Sequence, residues 1–461
     1  MKKNDKICLE IEDLSVDGEG IGKTDGLTVF VPGAIPGDRI TAGITKVKKT
    51  MAYARILQMI RPSADRIEPA CPIAGKCGGC SIMQMRYEAQ LAWKEKRVRD
   101  ALIRIGGFDE METDLALHPI AGMDNPYYYR NKSQFPVGTD GEGNPLMGFY
   151  ARHSHRIVEN DACRIADPMH EIVRKTVLQW IRDFRIPVYD ETTGAGLVRH
   201  LLIRTGHATG EISVCLVAAR KNLPHIGELI QDLEKIDGMT SIAVNVNSAR
   251  SNVILGKDTF AFHGRMTIRD RIGKMEYAIS PRSFYQVNPV QTEKLYAEAV
   301  RCAGLTGKEI VWDLYCGIGT ISLAMASHAK QVCGVEVIPE ATADAEENAR
   351  RNGIDNVRFM TGRAEDILPK FVKNHPEDAS AKPDVIVVDP PRKGCDSACL
   401  ETMLSMHPER IVYISCNPST LARDLNILCG KKEYRLASVL PVDMFPHSCH
   451  VETVVLMSKV K

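Results

Sequence analysis

The sequence lacks the features of a membrane-spanning or exported protein. None of its apolar runs reaches the roughly 18 residues that a membrane-spanning helix needs. The first ten residues, MKKNDKICLE, have no apolar stretch after the lysines, so we expect no export and a cytoplasmic location. The 461 residues include 14 cysteines, mostly scattered through apolar stretches, and in that compartment we expect reduced thiols rather than disulfides.

The sequence also has almost no net charge, which excludes a uniformly basic nucleic-acid-binding chain. The formal net charge is +1, so affinity for nucleic acid must come from local patches. The segment 39–64 has six basic and no acidic residues, and the segments YYYRNKSQF (127–135) and FYARHSHRIV (149–158) interleave aromatic rings with cations. Each segment alone fits a solvated loop. The three together favour an RNA-binding surface, where bases stack and phosphates need neutralising.

Internal repeats and low-complexity segments are absent, and the chain divides by pattern into three parts. Residues 1–61 alternate short apolar runs with glycine turns, which predicts a small β-barrel. Residues 62–270 have a mixed α+β pattern, with a helix around 88–104. Residues 271–461 alternate strands and helices, which predicts an α/β fold with a Rossmann-like parallel sheet covered on both faces.

The segment DLYCGIGT (313–320) predicts a nucleoside-binding turn between a strand and a helix. Glu336 ends the next strand, where a carboxylate can accept hydrogen bonds from a ribose diol. A third glycine, typical of NAD sites, is missing, because position 322 is serine. Asp313 suits the ammonium of a methionyl group. We therefore expect S-adenosylmethionine rather than NAD, with a purely structural turn as the alternative.

Two further strands end in residues that could do chemistry. In VVDPPRKG (387–394), two prolines fix the backbone and hold Asp389 beside the cofactor pocket. Arg392 follows where amino-methyltransferases carry an aromatic residue, which disfavours direct methylation of an amine. In RIVYISCNPST (410–420), Cys416 comes at the carboxyl end of a strand, where open α/β sheets place ligands. For a cysteine taken at random, a buried structural role is the more common one.

A cysteine cluster opens the central part of the chain. Cys71, Cys77 and Cys80 have the spacing C-x5-C-x2-C, and Cys163 follows at a distance. Such a group suggests a metal in a reducing compartment. Zinc is possible, although its sites usually pair two C-x2–4-C motifs. An iron–sulfur cluster accepts three clustered ligands and one remote ligand.

Taken together, the motifs resemble the bacterial RNA 5-methyluridine methyltransferases that carry an amino-terminal TRAM domain. The resemblance covers nearly the whole chain. Within the family, the chain is most similar to the iron–sulfur branch that acts on 23S ribosomal RNA. It rests on the amino-terminal barrel pattern and on the segments CPIAGKCGGCSIMQM, SFYQVNP, DLYCGIGT, DPPRKG, ISCNPST and HVETV.

The resemblance implies a catalytic mechanism and a set of site residues. Cys416 would attack C6 of uracil, which makes C5 nucleophilic, and Glu452 would remove the C5 proton after methyl transfer. The target base would be flipped out of the RNA. A monomer is expected. The implied cofactor-binding residues are Gln286, Tyr315, Glu336 and Asp389, and the implied ligands of a 4Fe-4S cluster are Cys71, Cys77, Cys80 and Cys163.

Two other functions remain open at this point. The same fold serves enzymes that methylate transfer RNA. The second is a non-catalytic RNA-binding iron–sulfur protein built on an inactive methyltransferase. This alternative is disfavoured because the chain has Cys416, Glu452, Asp389 and the glycine turn together.

Overall fold

The amino-terminal residues form a small β-barrel. A computed structural model describes residues 1–430 and 432–460. Its first strands are β1 (Lys6–Glu10), β2 (Asp13–Leu14), β3 (Gly20–Thr24), β4 (Leu27–Val31), β5 (Arg39–Val47) and β6 (Met51–Arg61). They pair in the order β1-β5-β6-β4-β3-β2. Alternate residues such as Leu9, Val29 and Ile40 point inward and fill the interior, as the period of two along a strand requires. The barrel predicted for this part of the chain is confirmed.

Two helices and a second sheet follow the barrel. The sheet has seven strands in the order β13-β12-β11-β10-β7-β8-β9. The elements are α1 (Tyr87–Arg104), α2 (Glu110–Ala116), β7 (Lys132–Thr139), β8 (Pro145–Tyr150), β9 (Ile157–Glu159), α3 (Pro168–Asp183), β10 (Val198–Thr205), β11 (Ile212–Ala218), α4 (Ile226–Leu233), β12 (Met239–Val246) and β13 (Asp258–Gly264).

The two faces of this second sheet are covered differently. Helix α3 packs on one face, where Val173 and Val177 join Leu201 and Ile203 of β10 in a single apolar core. Because successive side chains of a strand point to opposite faces, Leu202 lies on the other face. That face is covered by irregular chain between and after the strands rather than by a helix.

The carboxyl-terminal sheet has the doubly covered parallel arrangement that the alternating pattern predicts. Its order is β18-β17-β16-β19-β20-β22-β21; the first five strands are parallel, and β22 runs antiparallel to β20 and β21. The elements are β14 (Ile268–Ile272) and β15 (Met275–Ile279), which form a separate hairpin, then α5 (Pro289–Ala303), β16 (Ile310–Leu314), α6 (Thr320–Ala326), β17 (Gln331–Glu336), α7 (Pro339–Arg351), β18 (Val357–Thr361), α8 (Ala364–Asn374), a short 3-10 helix (Ala379–Ala381), β19 (Val385–Val388), α9 (Ser397–Ser405), β20 (Arg410–Ser415), α10 (Pro418–Gly430), β21 (Tyr434–Val442) and β22 (Glu452–Lys459).

Helix α1 precedes the second sheet in the chain but packs on the carboxyl-terminal sheet. Val98 and Leu102 belong to the same apolar core as Trp312 of β16. The Lys94 ammonium, fully buried, lies 2.5 Å from Oδ1 of Asp443 in the loop between β21 and β22. The helix is therefore part of the carboxyl-terminal core, although the second sheet separates the two in the chain. The proposed domain limits at 61/62 and 270/271 stay a prediction, and α1 connects the parts on either side of the second limit.

Within residues 1–430 and 432–460, no helix is both long and apolar enough to cross a membrane.

Candidate active site

A cavity of about 710 Å³ opens at the carboxyl ends of the parallel strands β16, β17, β19 and β20. Ligands of open α/β sheets bind at this edge, because the loops that leave the strands there converge. The structure brings all six predicted cofactor-binding and catalytic residues to this one cavity. They are Gln286, Tyr315, Glu336, Asp389, Cys416 and Glu452.

The turn after β16 is shaped by backbone hydrogen bonds to Glu336. One carboxylate oxygen of Glu336 accepts from the Gly317 N–H at 3.0 Å, and the other accepts from the Ile338 N–H at 2.9 Å. Tyr315 has a φ of 71°, a left-handed conformation that turns the chain out of the strand. These contacts hold the Glu336 carboxylate at the cavity, where its remaining lone pairs can accept from a ligand hydroxyl.

Asp313 lies in β16 and does not line this cavity, and its expected role as the partner of an ammonium group stays a prediction. The side chain is fully buried beneath the turn, and its Oδ2 accepts from the Ser322 hydroxyl at 2.6 Å. Burial and the negative charges of Asp389 and Glu336 raise the pKa of Asp313 to about 7. Serine at position 322 therefore supports the turn from below.

The loops that carry Asp389 and Cys416 are tied together. The Arg392 carbonyl accepts from the Asn417 side-chain amide at 3.2 Å and from the Thr420 hydroxyl at 3.1 Å. Asn417 also caps α10, since its Oδ1 accepts from the Ser419 N–H at 3.1 Å. The two strand ends are thus held in one arrangement, with Asp389 and Cys416 lining the same space.

Burial and mutual repulsion shift the titration of the acids in this cavity. Burial raises the pKa of Asp389 to about 7. Burial and the charge of Asp389 raise the pKa of Glu452 to about 8, although Arg392 opposes the shift. Within the described part of the chain, the Glu452 carboxylate has no hydrogen-bond partner. Its protonation therefore changes near neutral pH, as suits a group that exchanges protons with a ligand.

The thiol of Cys416 is protonated at neutral pH in this state of the protein. Burial is the main cause that raises its pKa to about 11, and the charges of Glu452 and Asp389 raise it further. Arg392 lowers it. Attack by this sulfur therefore requires that the thiol lose its proton as the nucleophile engages its target.

Aromatic side chains that were not singled out from the sequence complete the cavity. Phe284 lines it with 72% of its surface exposed, and it directly precedes Tyr285 and Gln286 in the SFYQVNP segment. Phe445 and His450 also line it, with ring centroids 6.0 Å apart in an edge-to-face arrangement. Phe284 lies in the segment SFYQVNP and His450 in the segment HVETV, which was the available signal for these two, whereas Phe445 lies outside both segments. Without coordinates, nothing distinguished these rings from the buried rings beside them.

The four cysteines of the predicted metal site line a second cavity, of about 260 Å³. Three cations also line it, Arg130, Lys132 and Arg164, and no carboxylate does. Burial and the charges of Arg204 and Arg130 lower the pKa of Lys132 to about 7. Within residues 1–430 and 432–460, no group of three or more His, Cys, Asp or Glu side chains is placed to hold a single metal ion. The cysteine set is Cys71, Cys77, Cys80 and Cys163.

Comparison with known proteins identifies the family. Residues 205–460 match the model of the tRNA (uracil-5-)-methyltransferase family, and residues 3–57 match the TRAM domain. The chain belongs to this methyltransferase family. An uncharacterized RNA methyltransferase of Clostridium tetani is 46% identical over 99% of this chain and 97% of its own length, and one of Halalkalibacterium halodurans is 47% identical over 99% and 98%.

A solved structure shows the same architecture over the whole enzyme. The tRNA (uracil-54, C5)-methyltransferase of Pyrococcus abyssi, in complex with S-adenosyl-L-homocysteine, matches with a TM-score of 0.76 and 27% identity. The match covers 98% of this chain and 100% of that one. The chain is therefore an S-adenosylmethionine-dependent RNA methyltransferase with a Rossmann-like catalytic fold, as its sequence predicts.

Proposed function

We propose that this enzyme methylates C5 of uridine in 23S ribosomal RNA through a covalent bond between Cys416 and C6 of uracil. The observation that carries the proposal is the shared cavity. It brings a thiol at one strand end and an unpaired carboxylate at the next strand together with the turn that suits a nucleoside cofactor. S-adenosylmethionine, when bound there, supplies an electrophilic methyl group. Tyr315 and Glu336 would hold its adenosine side, and Gln286 and Asp389 would contact uracil or cofactor.

Each covalent step can be assigned to a side chain of this cavity. The Cys416 thiol gives its proton to water, and its sulfur bonds to C6 of uracil, which moves the electron pair of the C5–C6 double bond toward C5. C5 would then bond to the methyl group that the cofactor supplies, with the neutral thioether S-adenosylhomocysteine as the leaving product. Glu452 removes the remaining proton from C5, the C5–C6 double bond re-forms, and the Cys416 sulfur leaves with its electron pair.

The charges around Cys416 and Glu452 support this division of roles. A base works best when its pKa lies near the working pH, and the pKa of Glu452 is about 8. Protonated Glu452 places no negative charge next to the sulfur, and Arg392 favours the thiolate. Ionised Glu452 can then accept the C5 proton once the sulfur is bound to carbon and uncharged.

The entrance of the cavity suits a target base that is unstacked from the RNA helix. A uridine stacked inside RNA cannot reach a thiol in a half-buried cavity, so the target must be flipped out. The exposed ring of Phe284 lies at this entrance and offers a flat surface for an unstacked base.

We further propose that Cys71, Cys77, Cys80 and Cys163 bind a 4Fe-4S cluster. A single metal ion needs ligands that converge within about 2.3 Å of one point. A cubane cluster instead presents four separated iron atoms, so its ligands surround a volume, as these cysteines do. Four thiolates and their cluster would carry net negative charge, which suits a lining of three basic side chains without a carboxylate. The group would hold the surrounding loops together, because methyl transfer requires no electron.

Ribosomal RNA is the proposed substrate because the cysteine set resembles the branch that acts on it. The Pyrococcus abyssi match favours transfer RNA as the second candidate. We propose action as a monomer in the cytoplasm in either case. The deciding experiment maps 5-methyluridine in ribosomal and transfer RNA from a strain that lacks the protein. Loss of a 23S 5-methyluridine supports the proposal, loss confined to transfer RNA replaces the substrate, and an unchanged map of both contradicts the activity.

A further inference from the structure

A third cavity lies on the second sheet, on the face opposite to helix α3. It measures about 460 Å³ and opens beside β8 and β10. His200 of β10 lines it from below, since His200 and Leu202 share the face that α3 does not cover. The residues used below are Tyr150, His155, Glu191, His200, Arg250 and Asn252.

The His200 imidazole lacks the partners that a buried polar ring normally has. The residue is only 6% exposed, and its Nδ1 has no hydrogen-bond partner within the described residues. Burial and the neighbouring Arg199 lower its pKa to about 4, so the ring is neutral and carries one donor and one acceptor. Buried polar groups without partners are rare in folded proteins, and this ring with an unused hydrogen-bonding atom forms part of the cavity wall.

The other charges of this cavity leave one cation available. Both carboxylate oxygens of Glu191 accept from the Arg199 guanidinium, at 2.9 and 3.0 Å, so that acid is neutralised. Arg250 contributes one hydrogen bond to the Thr193 carbonyl and has no acidic partner within the described residues. It is exposed and can bind an anion.

Aromatic rings form one side of the cavity. Tyr150 and His155 lie with their ring centroids 5.3 Å apart, at the two ends of the turn between β8 and β9. Both belong to the FYARHSHRIV segment, whose pattern of rings and cations predicts an RNA surface. These groups match the parts of a nucleotide. A flat ring suits the face of the base, the His200 imidazole and the Asn252 amide suit its edge, and the Arg250 guanidinium suits the phosphate.

We propose that this cavity binds a nucleotide of the RNA substrate other than the methylated uridine. The inference rests on the proposed function only in that the ligand is RNA. The base would stack on Tyr150, with the His155 ring inclined to it at 44°, its edge would lie at His200, and its phosphate would pair with Arg250. A second anchored nucleotide fixes where along the RNA the flipped uridine enters the active site.

The same strand connects this cavity to the cysteines. The Gly78 N–H donates to the Tyr150 carbonyl at 2.9 Å, and Cys77 pairs with Ala151 in a β-bridge. A side chain at Gly78 would come within 3.0 Å of the Tyr150 carbonyl oxygen, so the loop and the strand are closely packed. An intact cysteine loop therefore supports Tyr150 where the base would stack.

The test uses the full-length enzyme with deproteinised total RNA from a strain that lacks it. The variants are Arg250→Gln and His155→Ala, both at exposed positions, and His200→Phe, which keeps the site filled and removes both ring nitrogens. Lys175→Gln is the matched control, because Lys175 is an exposed cation on α3 across the sheet. We expect KM for RNA to rise about tenfold in the cavity variants, with kcat and S-adenosylhomocysteine affinity unchanged and the control like wild type.

Ultraviolet crosslinking gives a second readout that needs no turnover. A nucleotide crosslinked to the peptide containing Tyr150 in wild type, and its loss in Arg250→Gln, supports the cavity as an RNA site. Cavity variants with wild-type KM and no crosslink in this peptide overturn it. Wild-type enzyme that crosslinks there but forms no 5-methyluridine would contradict the proposed function and leave the cavity supported.

Discussion

The thiol of Cys416 and the carboxylate of Glu452 share one cavity, and the negative charge of Glu452 raises the pKa of the thiol. Cys416 directly follows β20 and Glu452 begins β22, and these two neighbouring strands run antiparallel. Ionising either one makes the other harder to ionise. The proposed mechanism needs them charged at different times, first the sulfur and then the carboxylate, and this repulsion disfavours the state in which both are charged.

The pH dependence of turnover follows from the Glu452 carboxylate. Only its ionised form accepts the C5 proton, and its pKa is about 8. Turnover should therefore rise from about pH 6 to about pH 9, since thiolate formation also increases in that direction. The measurement is kcat with saturating RNA and cofactor at each pH. A kcat that stays flat from about pH 6 to about pH 8 would contradict a base with this pKa.

Glu452→Gln should separate methyl transfer from product release. The amide cannot take the C5 proton, so the methylated uracil remains bonded to Cys416. Denaturing gel electrophoresis should show an accumulating protein–RNA adduct with ordinary uridine and a loss of multiple turnover of about 10²-fold or more. Ordinary turnover by this variant would remove Glu452 from the role of base.

The same variant should not be impaired in folding, which makes the comparison fair. Burial raises the pKa of Glu452 above its usual value of 4.5, so the folded state holds its proton more tightly than the unfolded state does. The cost of ionisation is absent below about pH 4.5 and grows as the pH rises to about 8. Glu452→Gln removes this cost, so its thermal stability near about pH 8 should equal or exceed that of wild type.

Lys94 should be important for stability because its charge is buried with Asp443 on one side of the loop that leads to His450 and Glu452. Lys94→Ala leaves the Asp443 carboxylate without its cation and should cost about 3–5 kcal/mol of unfolding free energy. Lys96→Ala is the matched control. Lys96 is half-exposed, and its pairs with Asp13 and Asp100 should contribute at most about 1 kcal/mol. Equal losses in urea titrations of the two variants would contradict this assignment.

The cysteine cavity predicts iron in anaerobically purified protein. We expect a brown protein with about four irons per chain and broad absorbance near about 400 nm. Replacing Cys71, Cys77, Cys80 or Cys163 by serine should bleach the colour and lower stability. Cofactor affinity should change little, and RNA methylation should fall. Cys215→Ser is the control, since Cys215 is buried in the second sheet away from this cavity. A colourless, fully active protein with one zinc per chain would contradict the 4Fe-4S cluster and identify the metal as zinc.

The sequence predicted most where a strand end and a turn carry the chemistry. Glu336 and Cys416 were located because a parallel sheet places its strand ends at one edge. The sequence pattern places Asp313 in a strand before the turn, but it does not show that the Asp313 carboxylate accepts from the Ser322 hydroxyl. The sequence also did not predict that α1 packs on the carboxyl-terminal sheet. Its apolar face has a helical period, and that period does not say which sheet covers it.

Cys416→Ala should abolish methylation without weakening cofactor binding. The thiol forms the bond to C6 and makes no contribution to the turn at Tyr315 and Glu336. Isothermal titration with S-adenosylhomocysteine should give the wild-type dissociation constant within about twofold, and turnover should fall below detection. A large loss of cofactor affinity would mean that Cys416 acts in binding.

The most direct test of the covalent mechanism is the reaction with RNA that contains 5-fluorouridine. Fluorine at C5 cannot be removed as a proton, so wild-type enzyme with S-adenosylmethionine should stop as a stable protein–RNA adduct. Peptide mass spectrometry should place a methylated fluorouridine on the peptide that contains Cys416, and Cys416→Ala should form none. A preparation that methylates ordinary RNA but gives no adduct with the fluorinated RNA would contradict the account.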